Sequence, residues 1–373
     1  MFLSAKERLE TIRACRDCPM CHPVDMVAMV TGKESNTPRG RGLILWGLES
    51  GLLSWDSDGV TRILYQALLD GLPQEWCEGN YDFDEMVIDA RKTLVDKGFA
   101  PAAVSSIALR IKETGNPYGI KEREIPSLLG SSPSSLPEVA IFLGSSARVQ
   151  RPQTALALGK ILRTLGISFE VPDGDSDCGF LSYQLGDFIS AAEQAKNVAA
   201  SLARCRAKKL VSLSASAYRM FTTRYTRFGA PLPEGMSIVH VTEFLSDLLT
   251  HGRLTLKRKI DDKVTYHDPC CLARFNYVLD PPRKVLRALV ADNFAEMDWS
   301  GKKARSCGGC GGVPFTYPEI SEKAARIRVE EALRTGARIL TSADPECEHH
   351  LSGAVQKGEI EVKDLVELVA DAL

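Results

Sequence analysis

Residues 264–271 read VTYHDPCC, and they are the clearest guide to the fold. Val264–Tyr266 has the pattern of a short apolar strand, and the two cysteines follow in the loop at its end. Beyond the loop, patterns typical of helices and of short strands take turns: a helix over Pro282–Val290, a strand over Ala295–Met297, a helix over Ile320–Arg334 and a strand over Arg338–Thr341. Such alternation predicts an α/β domain with parallel strands.

The same alternation occurs once earlier in the chain. It comprises strands and helices predicted over Val139–Leu143, Thr154–Leu165, Ile167–Val171, Leu185–Ala207 and Leu210–Leu213. Ser145 corresponds to Cys270 at an offset of 125 residues, and Cys178 corresponds to Cys307 at an offset of 129. Each pair follows a strand, where α/β folds usually place their sites. We therefore predict an internal duplication.

The part before the duplication has a different pattern. Apolar residues at helical spacing predict helices over residues 4–14, 41–53, 60–69, 83–97 and 102–112. A Ser/Pro/Gly linker, Gly130 to Pro137, separates these helices from the first repeat. The chain is therefore predicted to have a helical domain over 1–128, a first α/β repeat over 137–250 and a second over 260–373.

Composition limits the classes of function. The chain has 373 residues and a formal net charge of −2, which gives no general attraction to nucleic acid or to a membrane surface. No apolar run approaches the roughly 20 residues of a spanning helix, and Met1–Glu10 lacks the apolar core of a signal peptide. These features predict a cytoplasmic protein that binds no nucleic acid and is peripheral to a membrane only through its partners.

The cysteines carry the strongest signal. There are eleven, an odd number in a chain with no export signal, which argues against a disulfide framework. Cys15, Cys18 and Cys21 are spaced as in the bacterial ferredoxin run, the usual arrangement around an iron–sulfur cluster. Asp25 takes the fourth position of that run. Three explanations stay open: Asp25 supplies an oxygen ligand, the fourth ligand lies elsewhere, or the cluster has three irons. Structural zinc is the alternative.

A second ferredoxin-like run keeps only one cysteine. Residues 71–81 have the place and register of that run, but Cys77 is the single thiol in it. One thiol cannot hold a second cluster, so we interpret Cys77 as a remnant.

A second group of thiols lies in the last third of the chain, on three predicted loops: Cys270, Cys271, Cys307, Cys310 and Cys347. Gly308 and Gly309 let the backbone approach a bulky cluster and leave amide groups free to bond its sulfurs. His267, three residues before Cys270, either tunes such a cluster or caps its strand. Structural zinc or a thiol-only redox site is the alternative here.

These residues resemble the cysteine-rich CCG domain of heterodisulfide reductase, which also occurs in iron–sulfur subunits of glycerol-3-phosphate, lactate and glycolate oxidation systems. Cys270 takes the first family position, Ser306-Cys307 the cysteine pair, and Asp344-x-x-Cys347 the last motif. The resemblance implies a helical ferredoxin-like domain followed by a duplicated CCG-type α/β domain. Cys270, Cys307, Cys310 and Cys347 are the expected ligands, with Cys271 as the substitute. The first repeat keeps only Cys178 and is expected to be structural.

The resemblance also implies a function. We expect an iron–sulfur electron-transfer subunit with two clusters of the 4Fe–4S type. For the N-terminal cluster, a 3Fe–4S type or a fourth ligand other than cysteine stays open. Its expected partners are a flavoprotein dehydrogenase or an electron-transfer flavoprotein, together with a membrane quinone-reactive subunit. The acceptor would be a quinone, a flavin or a disulfide. A catalytic disulfide reductase of the heterodisulfide type and a zinc-stabilised assembly subunit are the alternatives.

Overall fold

The computed structural model describes residues 5–120, 129, 136–173 and 177–373. Over 5–120 the regular structure is helical, as the sequence predicted: α1 (Ala5–Cys15), α2 (Met26–Thr31), α3 (Pro38–Glu49), α4 (Asp58–Tyr65), α5 (Leu72–Glu75), α6 (Phe83–Asp96) and α7 (Ala102–Thr114). The helix predicted over 60–69 ends early, at Tyr65, because Leu69 and Gly71 take positive φ angles of 54° and 75° and turn the chain.

The first repeat forms a four-stranded sheet with helices on it. Its elements are β1 (Val139–Phe142), α8 (Ser145–Val149), α9 (Pro152–Thr164), β2 (Phe169–Glu170), α10 (Phe180–Gln184), α11 (Phe188–Leu202), β3 (Lys209–Ser212), α12 (Ala215–Thr223), β4 (Ser237–His240) and α13 (Val241–Thr250). The strand order is β2-β1-β3-β4, and every pair is parallel. Residues 130–135 of the predicted linker lie outside the described residues.

The second repeat has the same topology. It contains β5 (Val264–His267), α14 (Cys270–Ala273), α15 (Asp280–Val290), β6 (Phe294–Ala295), α16 (Val313–Thr316), α17 (Pro318–Arg334), β7 (Ile339–Ser342), α18 (Pro345–Ala354), β8 (Glu361–Asp364) and α19 (Leu365–Asp371). The strand order is β6-β5-β7-β8, again all parallel. The predicted α/β class and duplication are confirmed.

Two features of the repeats were not anticipated. The helix predicted over Leu185–Ala207 begins later, at Phe188, and ends earlier, at Leu202. Gly186 takes a φ of 84°, and a Cβ there would lie 2.4 Å from the Lys92 amide nitrogen, so the chain turns just before this helix. The edge strands β4 and β8 were missed. Each has an exposed first residue, two half-buried residues and one buried residue, so neither forms the apolar run by which the central strands were recognised.

A buried arginine joins the helical part to both repeats. Arg91 in α6 is 0% exposed, and its guanidinium donates to the carbonyl oxygens of Leu64 and Ala67 in the helical part. It also donates to the carbonyl of Gln184 in the first repeat, at 2.8 Å, and of Gly311 in the second, at 2.7 Å. The three parts therefore share one buried polar junction. None of the described helices combines the length and apolar character that crossing a membrane requires.

Candidate metal centres

The C-terminal thiol site is built at the carboxyl ends of two adjacent parallel strands. Cys270 and Cys271 begin α14, just after β5, and Cys347 lies in the first turn of α18, just after β7. The glycine-rich loop 307–312 brings Cys307 and Cys310 to the same edge. Because β5 and β7 are paired in the sheet, their following loops converge, as is usual for sites in such folds.

The five thiols meet in one cavity. All five are buried, and the cavity that they line also contacts Asp344 and Glu346. Cys270 Sγ lies 3.1 Å from Cys310 Sγ, and Cys307 Sγ lies 3.2 Å from Cys347 Sγ. Every C-terminal cysteine singled out from the sequence is therefore brought to this place.

The loop 307–312 is rich in glycine because the atoms around it leave no room for side chains. A Cβ on Gly308, whose φ is +85°, would lie 2.4 Å from the Ser321 carbonyl oxygen. A Cβ on Gly309 would lie 2.7 Å from His350 Cδ2 and 3.5 Å from Cys307 Sγ. On Gly311 it would lie 2.2 Å from the Ala67 carbonyl oxygen of the helical part. Close packing around the thiols, more than loop flexibility, accounts for these residues.

Buried positive charge faces the thiols. Hydrogen bonds from Cys271 and Cys310 hold the pKa of the Cys270 thiol well below its ordinary value, and the guanidinium groups of Arg274 and Arg219 lower it further. Arg274 is itself buried, donates to the carbonyl of Asp70 and lies 3.6 Å from the Asp70 carboxylate. Thiolates are the form that binds metal, and a nearby cation stabilises them. Hydrogen bonds with neighbouring thiols raise the pKa of Cys271, Cys310 and Cys347 well above its ordinary value, so the two arginines favour the thiolate form at Cys270 in particular.

His267 ends β5 beside these thiols. One of its ring nitrogens and the Sγ atoms of Cys307 and Cys347 lie within 4.8 Å of one another. Its Nδ1 accepts a hydrogen bond of 3.0 Å from Arg328 Nε, while Nε2 is buried and has no hydrogen-bond partner among the described residues. Burial lowers the pKa of this imidazole well below its ordinary value, and the charges of Arg328 and Arg274 add to the effect.

A second thiol site lies in the helical part. Cys15 ends α1, Cys18 and Cys21 lie in the turns that follow, and Cys77 comes just after α5. All four line one cavity of about 80 Å³, together with Pro38, Arg39 and Tyr81. Burial raises the pKa of Cys15 to about 12, and the next largest contribution comes from Cys77. Cys77, which the sequence suggested was a remnant, is therefore a neighbour of the three spaced thiols.

The spacing rule for ferredoxins does not assign Cys77 to this site. In ferredoxins with two clusters, the fourth cysteine of a run ligates the cluster of the other run. In residues 71–81 that fourth position is Tyr81, and Cys77 takes the third, so its place beside Cys15 follows from tertiary packing.

Asp25 is engaged elsewhere. Its Oδ1 accepts from the Ala28 amide at 2.9 Å and caps α2, and its Oδ2 accepts from Arg41 Nη1 at 2.9 Å. Both partners of this ion pair are buried. Asp25 lines a separate cavity with Asp70 and Asp84 and is not among the residues that line the cysteine cavity. Burial raises the pKa of Cys21 to about 12, and the next largest contribution comes from Asp25. Asp25 therefore lies near the N-terminal thiols, but it does not line their cavity and both of its carboxylate oxygens are hydrogen-bonded.

At the edge of the first repeat that corresponds to the C-terminal thiol site, polar groups form hydrogen bonds with one another. Ser145 Oγ donates to Asp177 Oδ2 at 3.1 Å, and the Gly179 amide donates to Asp177 Oδ1 at 2.9 Å. Ser214 caps α12 by accepting from the Ala217 amide at 3.2 Å. Cys178 is buried here, and no second cysteine is among the residues that line its cavity. These side chains satisfy one another where the second repeat has thiols.

The comparisons with known proteins agree with this arrangement. A family model described as "Cysteine-rich domain" (CCG) matches residues 139–221 and 264–352, one match in each repeat. One subunit of the dihydromethanophenazine:CoB–CoM heterodisulfide reductase of Methanosarcina acetivorans is 32% identical over 309 residues, which cover 80% of this chain and 75% of that protein.

More distant relatives have similar descriptions. One subunit of the fumarate reductase (CoM/CoB) of Methanothermobacter marburgensis is 26% identical, over 83% of this chain and 62% of that protein. EtfAB:quinone oxidoreductase of Syntrophomonas wolfei is 24% identical, over 77% of this chain and 43% of that protein. Among solved structures, a hypothetical protein from Helicobacter pylori matches with a TM-score of 0.56 at 10% identity, covering 100% of this chain and 73% of that one. That likeness supports the fold alone.

Proposed function

The chain belongs to the family of CCG-domain oxidoreductase subunits that includes those of heterodisulfide reductase, and from this membership we propose that it carries electrons through two 4Fe–4S clusters. A bound cluster of this kind takes up and releases one electron at a time. The observation that carries the proposal is the convergence of five buried thiols in one cavity beside two arginines. We propose that electrons pass between a flavoprotein partner and a quinone, flavin or disulfide acceptor.

For the C-terminal cluster we propose Cys270, Cys307, Cys310 and Cys347 as ligands, with Cys271 as the substitute. The two close sulfur pairs come from three different loops, so they surround the cavity from several sides. Arg274 and Arg219 would offset the negative charge of the thiolates and of the cluster they hold, which makes burial of the group less costly. Gly308 and Gly309 keep side chains out of its way.

For the N-terminal cluster we propose Cys15, Cys18, Cys21 and Cys77, with Cys77 in the place first considered for Asp25. The shared cavity and the influence of Cys77 on the pKa of Cys15 support this set. The hydrogen bonds of Asp25 to Arg41 and to the α2 amide support its exclusion, since a metal would have to displace them.

Substitution separates these two candidates. We expect Cys77→Ser to lose the N-terminal four-iron signal in electron paramagnetic resonance, while Asp25→Asn, which can still cap α2, keeps it. Iron content of the Cys77→Ser protein should fall while the signal of the C-terminal cluster remains. The reverse pattern, loss with Asp25→Asn and retention with Cys77→Ser, would restore Asp25 as the ligand.

The proposed partners are a flavoprotein dehydrogenase or electron-transfer flavoprotein and a membrane quinone-reactive subunit. The relative from Syntrophomonas wolfei is named EtfAB:quinone oxidoreductase, which supports a flavoprotein and a quinone as the proposed redox partners. Two clusters at two sites, one in the helical part and one in the second repeat, suit a relay with a different partner at each end.

Disulfide reduction at the C-terminal site is the second candidate. A cavity of about 380 Å³, lined by residues that include Tyr118, Phe315, Glu346, His349 and His350, lies against the glycine-rich loop, where His350 meets Gly309. This volume is in the range of small-molecule sites. A disulfide bound there would take two electrons and two protons and leave as two thiols.

One preparation tests the function as a whole. Anaerobically purified protein should contain about eight iron and about eight acid-labile sulfide per chain, the content of two cubanes. Reduction by a reduced flavoprotein, followed by reoxidation with a soluble quinone, would support the relay. Turnover of a disulfide by the chain alone would favour the second candidate. Zinc in place of iron would overturn both.

A further inference from the structure

The starting point is the unpaired ring nitrogen of His267. One nitrogen of this ring lies within 4.8 Å of the Sγ atoms of Cys307 and Cys347. Nδ1 accepts from Arg328, so Nε2, which has no hydrogen-bond partner among the described residues, is the nitrogen left for a group bound at the site. A histidine and two cysteines this close form a familiar zinc or iron ligand set. Distance alone would therefore make His267 a candidate metal ligand.

The position of the imidazole proton argues against ligation. A guanidinium has only donors and keeps its protons in proteins, so Arg328 Nε–H requires a lone pair on His267 Nδ1. In a neutral imidazole the single proton must then be on Nε2. A histidine that binds metal through Nε2 instead carries its proton on Nδ1 and donates it to an acceptor. Arg328 offers no acceptor, so the arrangement opposes that tautomer.

The groups that impose this tautomer are firmly held. Arg328 in α17 is 0% exposed, and its Nη1 donates to Glu331 Oε2 at 2.7 Å. His267 is 1% exposed at the end of the central strand β5, and its carbonyl accepts from Ser342 Oγ at 3.2 Å. If either the ring or the guanidinium turned away, buried polar groups would be left without hydrogen-bond partners, which is unfavourable.

We propose that His267 is not a ligand at the C-terminal site but donates an Nε2–H hydrogen bond to a sulfur of the cluster held there. Arg328 is the positioning residue, because it fixes the tautomer that makes His267 a donor. The inference rests on the proposed iron–sulfur site and assigns a role within it.

The effect of such a bond is on the redox potential. Reduction adds negative charge to a cluster and its sulfurs, and an N–H donor stabilises that charge. His267 would therefore make the C-terminal cluster easier to reduce than the same thiolates would alone. A ligating histidine would instead change the composition of the site.

The test compares two uncharged replacements in the iron-loaded protein. His267→Gln keeps an N–H group at a similar reach, whereas His267→Leu keeps bulk and loses the donor. We expect His267→Leu to shift the midpoint potential of the C-terminal cluster to more negative values with unchanged iron content, and His267→Gln to stay near the parent protein. His251→Leu, at an exposed histidine, serves as the control and should leave the potential unchanged.

A second measurement needs no substitution at His267. With ¹⁵N-labelled histidine, double-resonance spectroscopy of the reduced protein should give a weak nitrogen coupling and a proton coupling that disappears in D₂O. In Arg328→Met, where Nδ1 is free to take the proton, the exchangeable-proton coupling should weaken, a change that mere structural support would not produce.

Three outcomes would overturn the inference. A strong nitrogen coupling, or loss of iron in both His267 variants, would make His267 a ligand. An unchanged midpoint potential in His267→Leu would show that His267 donates no such hydrogen bond. If His267→Leu does not fold, the labelled parent protein and His267→Gln still decide. Zinc in place of iron would instead contradict the proposed function itself, so the two failures are distinguishable.

Discussion

Replacing Arg91 by methionine should destabilise the whole chain. Arg91→Met removes the donor to four buried carbonyl groups, on Leu64, Ala67, Gln184 and Gly311. Each buried acceptor left unpaired costs about 1–3 kcal/mol. Part of that sum is regained, because the buried guanidinium no longer has to be stripped of water. The loss of a buried hydrogen-bond network is one of the mechanisms behind the largest effects of single substitutions, and we expect a decrease of about 3–5 kcal/mol in the free energy of unfolding.

The assay is anaerobic urea unfolding of the iron-loaded protein, followed by circular dichroism. Arg62→Met is the matched control, since Arg62 is an exposed arginine on the neighbouring helix α4. Its effect should stay within about 0.5 kcal/mol, as for most surface changes. A loss below about 1 kcal/mol in Arg91→Met, or one equal to that of Arg62→Met, would refute the reasoning that these four contacts are stabilising.

Two further predictions concern the thiol loop and a buried acid. Gly309→Ala should lower the iron content of the C-terminal site, because the new Cβ would lie 2.7 Å from His350 Cδ2. Gly353→Ala is the control and should keep full iron, since its Cβ would meet nothing within 4 Å. Equal iron contents in the two variants would contradict the prediction. Burial and the neighbouring Asp70 raise the pKa of Asp84 from 3.8 to about 8. Between these two pH values the folded chain holds a proton on Asp84 that the unfolded chain releases. The free energy of unfolding therefore decreases as pH rises from 3.8 to about 8. Urea unfolding of Asp84→Asn should therefore show a stability gain over the parent that grows from acidic pH toward pH 8, and a gain independent of pH would contradict the assignment.

Much of the fold could be predicted from local patterns. The central strands β1 and β5 are buried along their whole length. β1 is apolar throughout, as buried parallel strands usually are, and β5 was recognised from Val264 and Tyr266 with the cysteine-bearing loop that follows. The edge strands β4 and β8 could not be recognised in that way, since half of each faces out. The turn at Gly186 depends on the close approach of Lys92, a contact from a distant part of the chain that no local pattern contains.

The candidate sites show the same difference between features with a local sequence signal and features that depend on tertiary packing. Spacing identified the thiols that lie within one run or follow successive strands, and the structure brings those together. Cys77 joins Cys15 through the packing of the helical part, which the spacing does not express. For Asp25 a local signal did exist, because aspartate is a preferred N-cap residue and Met26 begins a helix. Its ion pair with Arg41 depends on tertiary structure.

The backbone of Gly311 bears on how this protein could have arisen and how it can be rebuilt. Its amide donates to Gln184 Oε1 of the first repeat, and its carbonyl accepts from Arg91 of the helical part. The loop that carries Cys310 is thus supported by both other parts of the chain. The second repeat is therefore not a transferable module: grafted alone, it would lack the groups that shape its own loop. The first repeat, which has Cys178 alone at its corresponding edge, thus supplies part of the frame on which the thiol loop of the second repeat is built.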